Sequence, residues 1–236
     1  MPTSASRLLR ALIVIAIPII LVVISVRLLV TDEYLIYEYG KPDFPPDPFG
    51  FNDGERLLYA SRNFAYVRTG GPITMLSDDS HDGSPLYNAR ELKHMQDVQA
   101  VWLGTRTAGW LATVVGAVAA LGLGWRPETR RALADALRLG GLTAIGFVVV
   151  IGGLAVVAWN FWFVAFHKIF FEGNSWLFEY SDTLIRLFPE KFWFDAALAI
   201  SFFMLAGGAI FTAIGWLAMP RAVRGAATSP GAHQPI

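Results

Sequence analysis

LLRALIVIAIPIILVVISVRLLV, residues 8–30, is the stretch whose reading decides the fold. An α-helix rises 1.5 Å per residue, so about 20 apolar residues cross the roughly 30 Å of a bilayer's hydrocarbon. Leu8 to Val30 meets that length. The stretch outlasts a signal-peptide core and carries no small-residue cleavage site, so it reads as an uncleaved anchor. Pro18 should kink it.

Three further apolar stretches follow, at about 102–125, 140–166 and 194–219, each bounded by charges or proline. With 54% hydrophobic and only 16% charged residues, the chain has too little polar surface for a second soluble domain. The expectation is a single membrane domain over 1–236, an all-α bundle of four transmembrane helices. Lys plus Arg equal Asp plus Glu at 19 each, so no global charge points to nucleic acid. The absence of cysteine excludes thiol nucleophiles, disulfide exchange and thiolate metal sites.

Where the charge sits is informative. The loop 126–138 holds Arg126, Arg130, Arg131 and Arg138 against Glu128 and Asp135, and the tail holds Arg221 and Arg224 with no acid. Residues 31–101 carry twelve acids against six bases, and 168–191 is also slightly acidic. Because Lys and Arg concentrate in short cytoplasmic loops, both termini are expected inside, with 1–7, 126–139 and 220–236 cytoplasmic. Residues 31–101 then form a long extracytoplasmic loop between spans 1 and 2, and 167–193 a shorter interfacial one between spans 3 and 4.

Such a bundle by itself reads as an anchor or scaffold, but a loop of this length is too long for a connector. It opens with KPDFPPDPFGFNDGE, where four prolines and two glycines exclude a long helix. Glu55 to Val67 reads as a short helix. Asn88 and Glu91 have the spacing of a capping box, and the helix they start is expected to run unbroken into the second span. Arg90, Glu91, Lys93, His94 and Asp97 would stand on its outer turns, with His94 and Asp97 on one face. In the third span, Asn160, Phe163, Val164 and His167 share a stripe, and His167 falls at the outer edge. Phe170, Phe171, Trp176, Phe178 and Tyr180, then a short helix from Asp182 to Phe188, suit a segment lying in the interface.

His94 and His167 thus fall on the same side at similar depth. Such a pair admits three readings: a proton-transfer dyad, part of a metal site, or polar edge residues needing one hydrogen bond each. A metal needs further ligands, for which Asp97, His81 or Glu172 are available, but no HExxH-type spacing exists and none is assigned. Residues 173–177 do not form GxSxG, which leaves Ser175 a minor candidate. Asp97 is positioned to orient His94, or to be a helix-surface acid. Arg106 inside the second span is costly in hydrocarbon, hence either a holder of an anionic or carbonyl group or a snorkelling side chain. Asn160 suits an interhelical hydrogen bond. His81 reads as a solvated loop residue, and His233, in the polar tail, as inert.

RELKHMQDV at 90–98, FHKIFFEGNSWLF at 166–178 and TLIRLFPEKFWFD at 183–195 together resemble the integral membrane family that includes the lipoprotein intramolecular transacylase. The resemblance covers nearly the whole chain, including four spans and a long first loop with the PPDPFGFNDGE start. It implies a bacterial cytoplasmic-membrane enzyme acting on lipoproteins whose N-terminal cysteine carries a diacylglyceryl thioether. One acyl chain, the sn-2 chain, would move from glyceryl ester to the α-amino group of the same cysteine, leaving a lyso-form lipoprotein. His94 and His167 match the histidines the resemblance implies to be catalytic.

Acyl transfer from ester to amine needs a neutral amine and a proton for the departing alkoxide, and imidazoles serve both near neutral pH. The residues assign base to His94, supported by Asp97, and acid to His167, with the reverse or an acyl-histidine left open. Arg106, Asn160 or a backbone N–H of the 170s segment are candidates for the oxyanion, and Trp176 joins Arg106 and Asn160 as a substrate-binding candidate. The partners implied are the diacylglyceryl lipoprotein and membrane lipid, with no cofactor. The other function class is a non-catalytic envelope protein that binds lipid or lipoprotein in the same groove.

Overall fold

The computed structural model describes residues 3–171 and 173–219, so Glu172, Arg221, Arg224 and His233 lie outside the described residues. Described in chain order, the elements are α1 (Thr3–Leu29), α2 (Asp32–Tyr39), α3 (Asp53–Thr69), α4 (Thr74–Ser77), a hairpin of β1 (Ser80–His81) and β2 (Ser84–Pro85), α5 (Ala89–Gly124), α6 (Arg130–Val157), α7 (Trp159–Phe170), α8 (Thr183–Leu187) and α9 (Glu190–Leu217). Among the described residues, four helices are long and apolar enough to cross a membrane: α1, α5, α6 with its leading turn, and α9. The chain is an all-helical, multi-pass membrane protein, its hairpin a minor ornament on one loop.

Several starts and stops follow from local chemistry. Asn88 accepts from the N–H groups of Arg90 and Glu91 at 3.0 Å while Glu91 accepts from Asn88 N–H at 2.8 Å. This capping box opens α5, which continues for 36 residues without interruption. A second box, Asn52 with Glu55, opens α3, and Gly70 closes it in the left-handed conformation (φ 70°). The third apolar stretch differs from its expected bounds of 140–166. Its helix starts earlier, because the polar segment from Arg130 is composed of good helix formers that hydropathy alone ignores. It also ends earlier, at Val157, where Ala158 leaves helical geometry (φ −140°, ψ 57°). The aromatic ladder Trp159, Trp162, Phe166, stacked at 5.3 and 5.5 Å, then builds α7 as a separate helix.

Two compact units can be distinguished. One comprises residues 3–22, 109–149 and 202–219, and is held by close helix packing over small residues. A Cβ on Gly141 would clash with the Gly208 carbonyl oxygen, and one on Gly215 with that of Ala134, so only glycine permits these approaches. The other unit comprises residues 23–108 and 150–201. Its core gathers Leu35, Ala60, Tyr66, Leu76, Leu86, Met95, Trp102, Leu187, Phe188 and Phe192. Helix α2, within the expected long loop, buries Leu35 completely there.

Candidate active site

His94 follows the capping box of α5 by one turn, and seven residues separate it from the apolar stretch that begins at 102. It is buried, with Phe171 4.8 Å and Phe178 5.2 Å away between ring centroids. His167, near the end of α7, lies 6.2 Å from His94, the two rings inclined by only 20°. The two imidazoles that the sequence placed at similar depth therefore lie face to face in one aromatic cluster.

The partners of each ring define its chemistry. Nδ1 of His167 lies 2.8 Å from the carbonyl oxygen of Phe163. A carbonyl only accepts, so Nδ1 carries the proton and Nε2 presents the lone pair. Burial pushes the His167 pKa down, against the opposing pull of that carbonyl. His94 is pushed further, to about 4, by burial first and the neighbouring His167 second, with Asp97 opposing. Its Nδ1 is buried without a hydrogen-bond partner among the described residues. Both rings are thus held neutral at pH 7. The indole of Trp176 packs on His167 at 4.9 Å, and its Nε1 is likewise buried and unpartnered.

The remaining predicted residues are placed differently. Asp97 was expected to orient His94, yet its oxygens pair with Lys93 Nζ at 2.6 Å and with the Ser175 hydroxyl at 3.3 Å. The reason is local: a lysine four residues earlier on the same helix reaches the carboxylate more directly than a buried ring three residues away. Arg106 is exposed and sits twelve residues beyond His94 on α5, about 18 Å along the helix axis. That separation keeps it from the histidine pair. Asn160 is exposed at the start of α7 and makes no interhelical hydrogen bond among the described residues, because its stripe turns outward there. His81 is more than a solvated loop residue: its Nδ1 lies 3.2 Å from the Tyr59 hydroxyl and its ring stands edge-on to Phe51 at 4.9 Å. Among the described residues no group of three His, Asp or Glu side chains gathers as metal ligands would.

Sequence reasoning missed the frame that holds the site's aromatic wall. Asp182 accepts from Asn88 and from Arg90, each at 2.9 Å. Glu91, buried, accepts from Leu184 N–H at 2.8 Å, and the Thr183 hydroxyl donates to the Leu86 carbonyl at 2.5 Å. These bonds tie the segment carrying Trp176 and Phe178 to the first turn of α5, just ahead of His94. Arg186 pairs with Asp47 through two bonds of 3.1 and 2.9 Å, and Arg56 donates to the Arg186 and Pro45 carbonyls. Their partners lie more than ninety residues away in most cases, so no local spacing signals them.

Among the described residues, four membrane-capable helices and a histidine pair walled by aromatics, His94 buried and His167 half-buried, characterise a polytopic membrane protein. The profile of the lipoprotein intramolecular transacylase Lit matches residues 11–193, and the chain belongs to that family of membrane enzymes. An uncharacterized protein of Aquifex aeolicus (strain VF5) is 29% identical over 212 residues, 88% of this chain and 94% of that one. The membrane integral lipoprotein intramolecular transacylase Lit from Bacillus cereus, solved in meso, has a similar fold: TM-score 0.75 at 19% identity, over 95% of this chain and 98% of that one. Two histidine variants of that protein, to arginine and to alanine, match with TM-scores of 0.70 and 0.55 at 18% and 17% identity, each over 95% of this chain and over 95% and 96% of theirs.

Proposed function

We propose that this chain transfers the sn-2 acyl chain of a diacylglyceryl-cysteine lipoprotein to that cysteine's own α-amino group, with His94 and His167 carrying the proton. The observation that supports this most is the pair itself, two neutral imidazoles 6.2 Å apart among aromatic rings. Family membership supports the substrate class, and the existence of histidine variants among the solved Bacillus cereus structures agrees with a histidine at the heart of the chemistry.

The amine nitrogen attacks the ester carbonyl, the amide C–N bond forms, the ester C–O bond breaks, and one proton passes from amine to glyceryl alkoxide. Nε2 of His167 is the base in this scheme, which reverses the assignment drawn from sequence. Its Nδ1–H stays on the Phe163 carbonyl, and that contact also steadies the imidazolium once formed. The amine's proton then passes from His167 to His94, the weaker base, which holds it poorly and hands it to the departing alkoxide, so both rings end neutral. Donor and acceptor belong to one molecule, so the protein chiefly folds the substrate into a reactive ring.

The arginines of the loop 126–138 support N-in, C-in topology in the bacterial cytoplasmic membrane, with the site at the extracytoplasmic face where lipoproteins mature. A reporter fused after Ile236 should be active only in the cytoplasm; periplasmic activity overturns the orientation. The reaction itself is tested with purified protein and a synthetic diacylglyceryl lipopeptide, following acyl migration by mass spectrometry. His94→Asn and His167→Asn should abolish conversion while insertion persists. Near wild-type conversion by both would sink the histidine mechanism and favour a lipoprotein-binding role.

A further inference from the structure

An indole N–H can only donate, and it needs an acceptor once water is excluded. Nε1 of Trp176 is buried and has none among the described residues, although the rest of its ring is partly open and packs on His167 at 4.9 Å. A tryptophan that merely anchors at a bilayer interface keeps its N–H in water or on headgroups. This one keeps it sealed beside the ring that presents a lone pair to the substrate. Ser175, the neighbouring hydroxyl, is already committed to Asp97. The two residues offered by sequence for charge stabilisation are unsuitable, since Arg106 lies about 18 Å along α5 from His94 and Asn160 faces outward.

We infer that the Trp176 Nε1–H is the oxyanion donor: it donates to no protein partner because its acceptor is the ester carbonyl oxygen of the bound lipoprotein, which gains negative charge as the amine adds. The inference rests on the acyl-transfer reading. As the amine adds, the C=O π electrons move onto oxygen and the N–H contact shortens and strengthens; when the tetrahedral species collapses they return and the ester C–O bond breaks. A preformed donor of this kind acts mainly on the transition state, so its loss appears in kcat more than in KM.

Trp102 provides an internal control. Its Nε1 is also buried without a partner, but it lies eight residues beyond His94, about 12 Å along α5. Trp176→Phe and Trp102→Phe would be compared on the ester lipopeptide and on its thionoester, whose C=S sulfur accepts hydrogen bonds weakly. Trp176→Phe should lose roughly 10²–10³ in kcat with KM within about threefold, and under about tenfold on the thionoester. Trp102→Phe should keep kcat within about threefold on both. Should Trp176→Phe fail to fold, incorporation of benzothienylalanine, an indole isostere with sulfur in place of N–H, tests the same loss. Near wild-type kcat without the N–H, equal losses on ester and thionoester, or an equal loss in Trp102→Phe each overturn the inference. If the histidine variants are inactive while Trp176→Phe is active, this inference alone fails; if the histidine variants are active, the acyl-transfer mechanism fails first.

Discussion

Two polar regions lie within one unit of this protein, and they treat their buried atoms in opposite ways. Around Arg186 the polar groups are matched: guanidinium to Asp47 carboxylate, Arg56 to two carbonyls, Glu91 to two backbone N–H groups. Around His94 they are left open, with His94 Nδ1 and Trp176 Nε1 both sealed and unpartnered. An unmade hydrogen bond on a buried group costs about 1–3 kcal/mol, so such atoms persist where something else requires them. The matched region fixes backbone; the unmatched region waits for a substrate's polar atoms. The unpartnered Nε1 of Trp102 shows that one open atom does not mark a site; what distinguishes the region around His94 is that two such atoms gather beside the facing imidazoles.

The sharpest way to break the contrast is through the histidines, whose loss should destroy activity and spare the fold. Replacing either His94 or His167 by Asn should lower kcat by about 10³–10⁴, with melting in detergent close to wild type. The double variant should be no worse than the single ones, because groups acting as one unit are not additive. Additive losses in single-turnover assays of the four proteins would show two independent roles.

The matched region should respond the other way. Arg186 and Asp47 have side chains 12% and 0% exposed, so Arg186→Met strands a buried carboxylate and should cost about 3–5 kcal/mol of stability. Adding Asp47→Leu should recover much of that loss, as removal of both partners of a buried pair often does. Thermal unfolding monitored by circular dichroism would read both. If Arg186→Met instead leaves stability unchanged and abolishes turnover, the arginine belongs to the site and the division drawn above is wrong.

Legibility in the sequence follows the same division. The four membrane-capable helices could be read because apolar length is a local property, and the Asn88–Glu91 box because three residues of spacing suffice to recognise it. His94 and His167 could be brought together because each stood at a countable distance from a span. The Arg186–Asp47 and Arg90–Asp182 pairs could not, since their partners are 139 and 92 residues apart and no local pattern marks them. The break at Ala158 was hidden because, apart from Asn160, the residues from Leu154 to Phe163 suit a continuous apolar helix. Trp176 was legible as an aromatic near the site, whereas its stranded N–H is a statement about missing neighbours that only three dimensions provide.

Titration offers a gentler test of the open region. Burial lowers His94 to about 4 from an ordinary 6.5, so the unfolded chain binds this proton more readily than the folded one. The stability gained by keeping the ring neutral is complete above pH 6.5 and is lost as pH falls toward 4. The acid limb of kcat/KM should accordingly fall below 6.5, and activity should drop less than about tenfold between pH 7 and 5.5. A limb at or above 6.5 in a lipopeptide assay would mean that the ring is hydrated in the working enzyme.

The smallest effect is expected from Asp97, the residue whose neighbours changed most between sequence and structure. Were its carboxylate holding the His94 ring, Asp97→Asn would disturb both ring orientation and imidazolium stability, and such a change can cost several orders of magnitude. In the structure the carboxylate instead joins Lys93, whose side chain is 62% exposed, to the hydroxyl of Ser175. An exposed ion pair contributes roughly 0–1 kcal/mol, and asparagine still accepts from Ser175. What reaches the histidines is only the through-space field that favours a charged His94, the weakest of the three influences on that ring. Asp97→Asn should therefore lower kcat by less than about tenfold and leave KM nearly unchanged, since 1 kcal/mol corresponds to about fivefold. A loss approaching that of His94→Asn would restore Asp97 to the catalytic group, and would require its carboxylate to leave Lys93 and turn toward the ring when substrate binds.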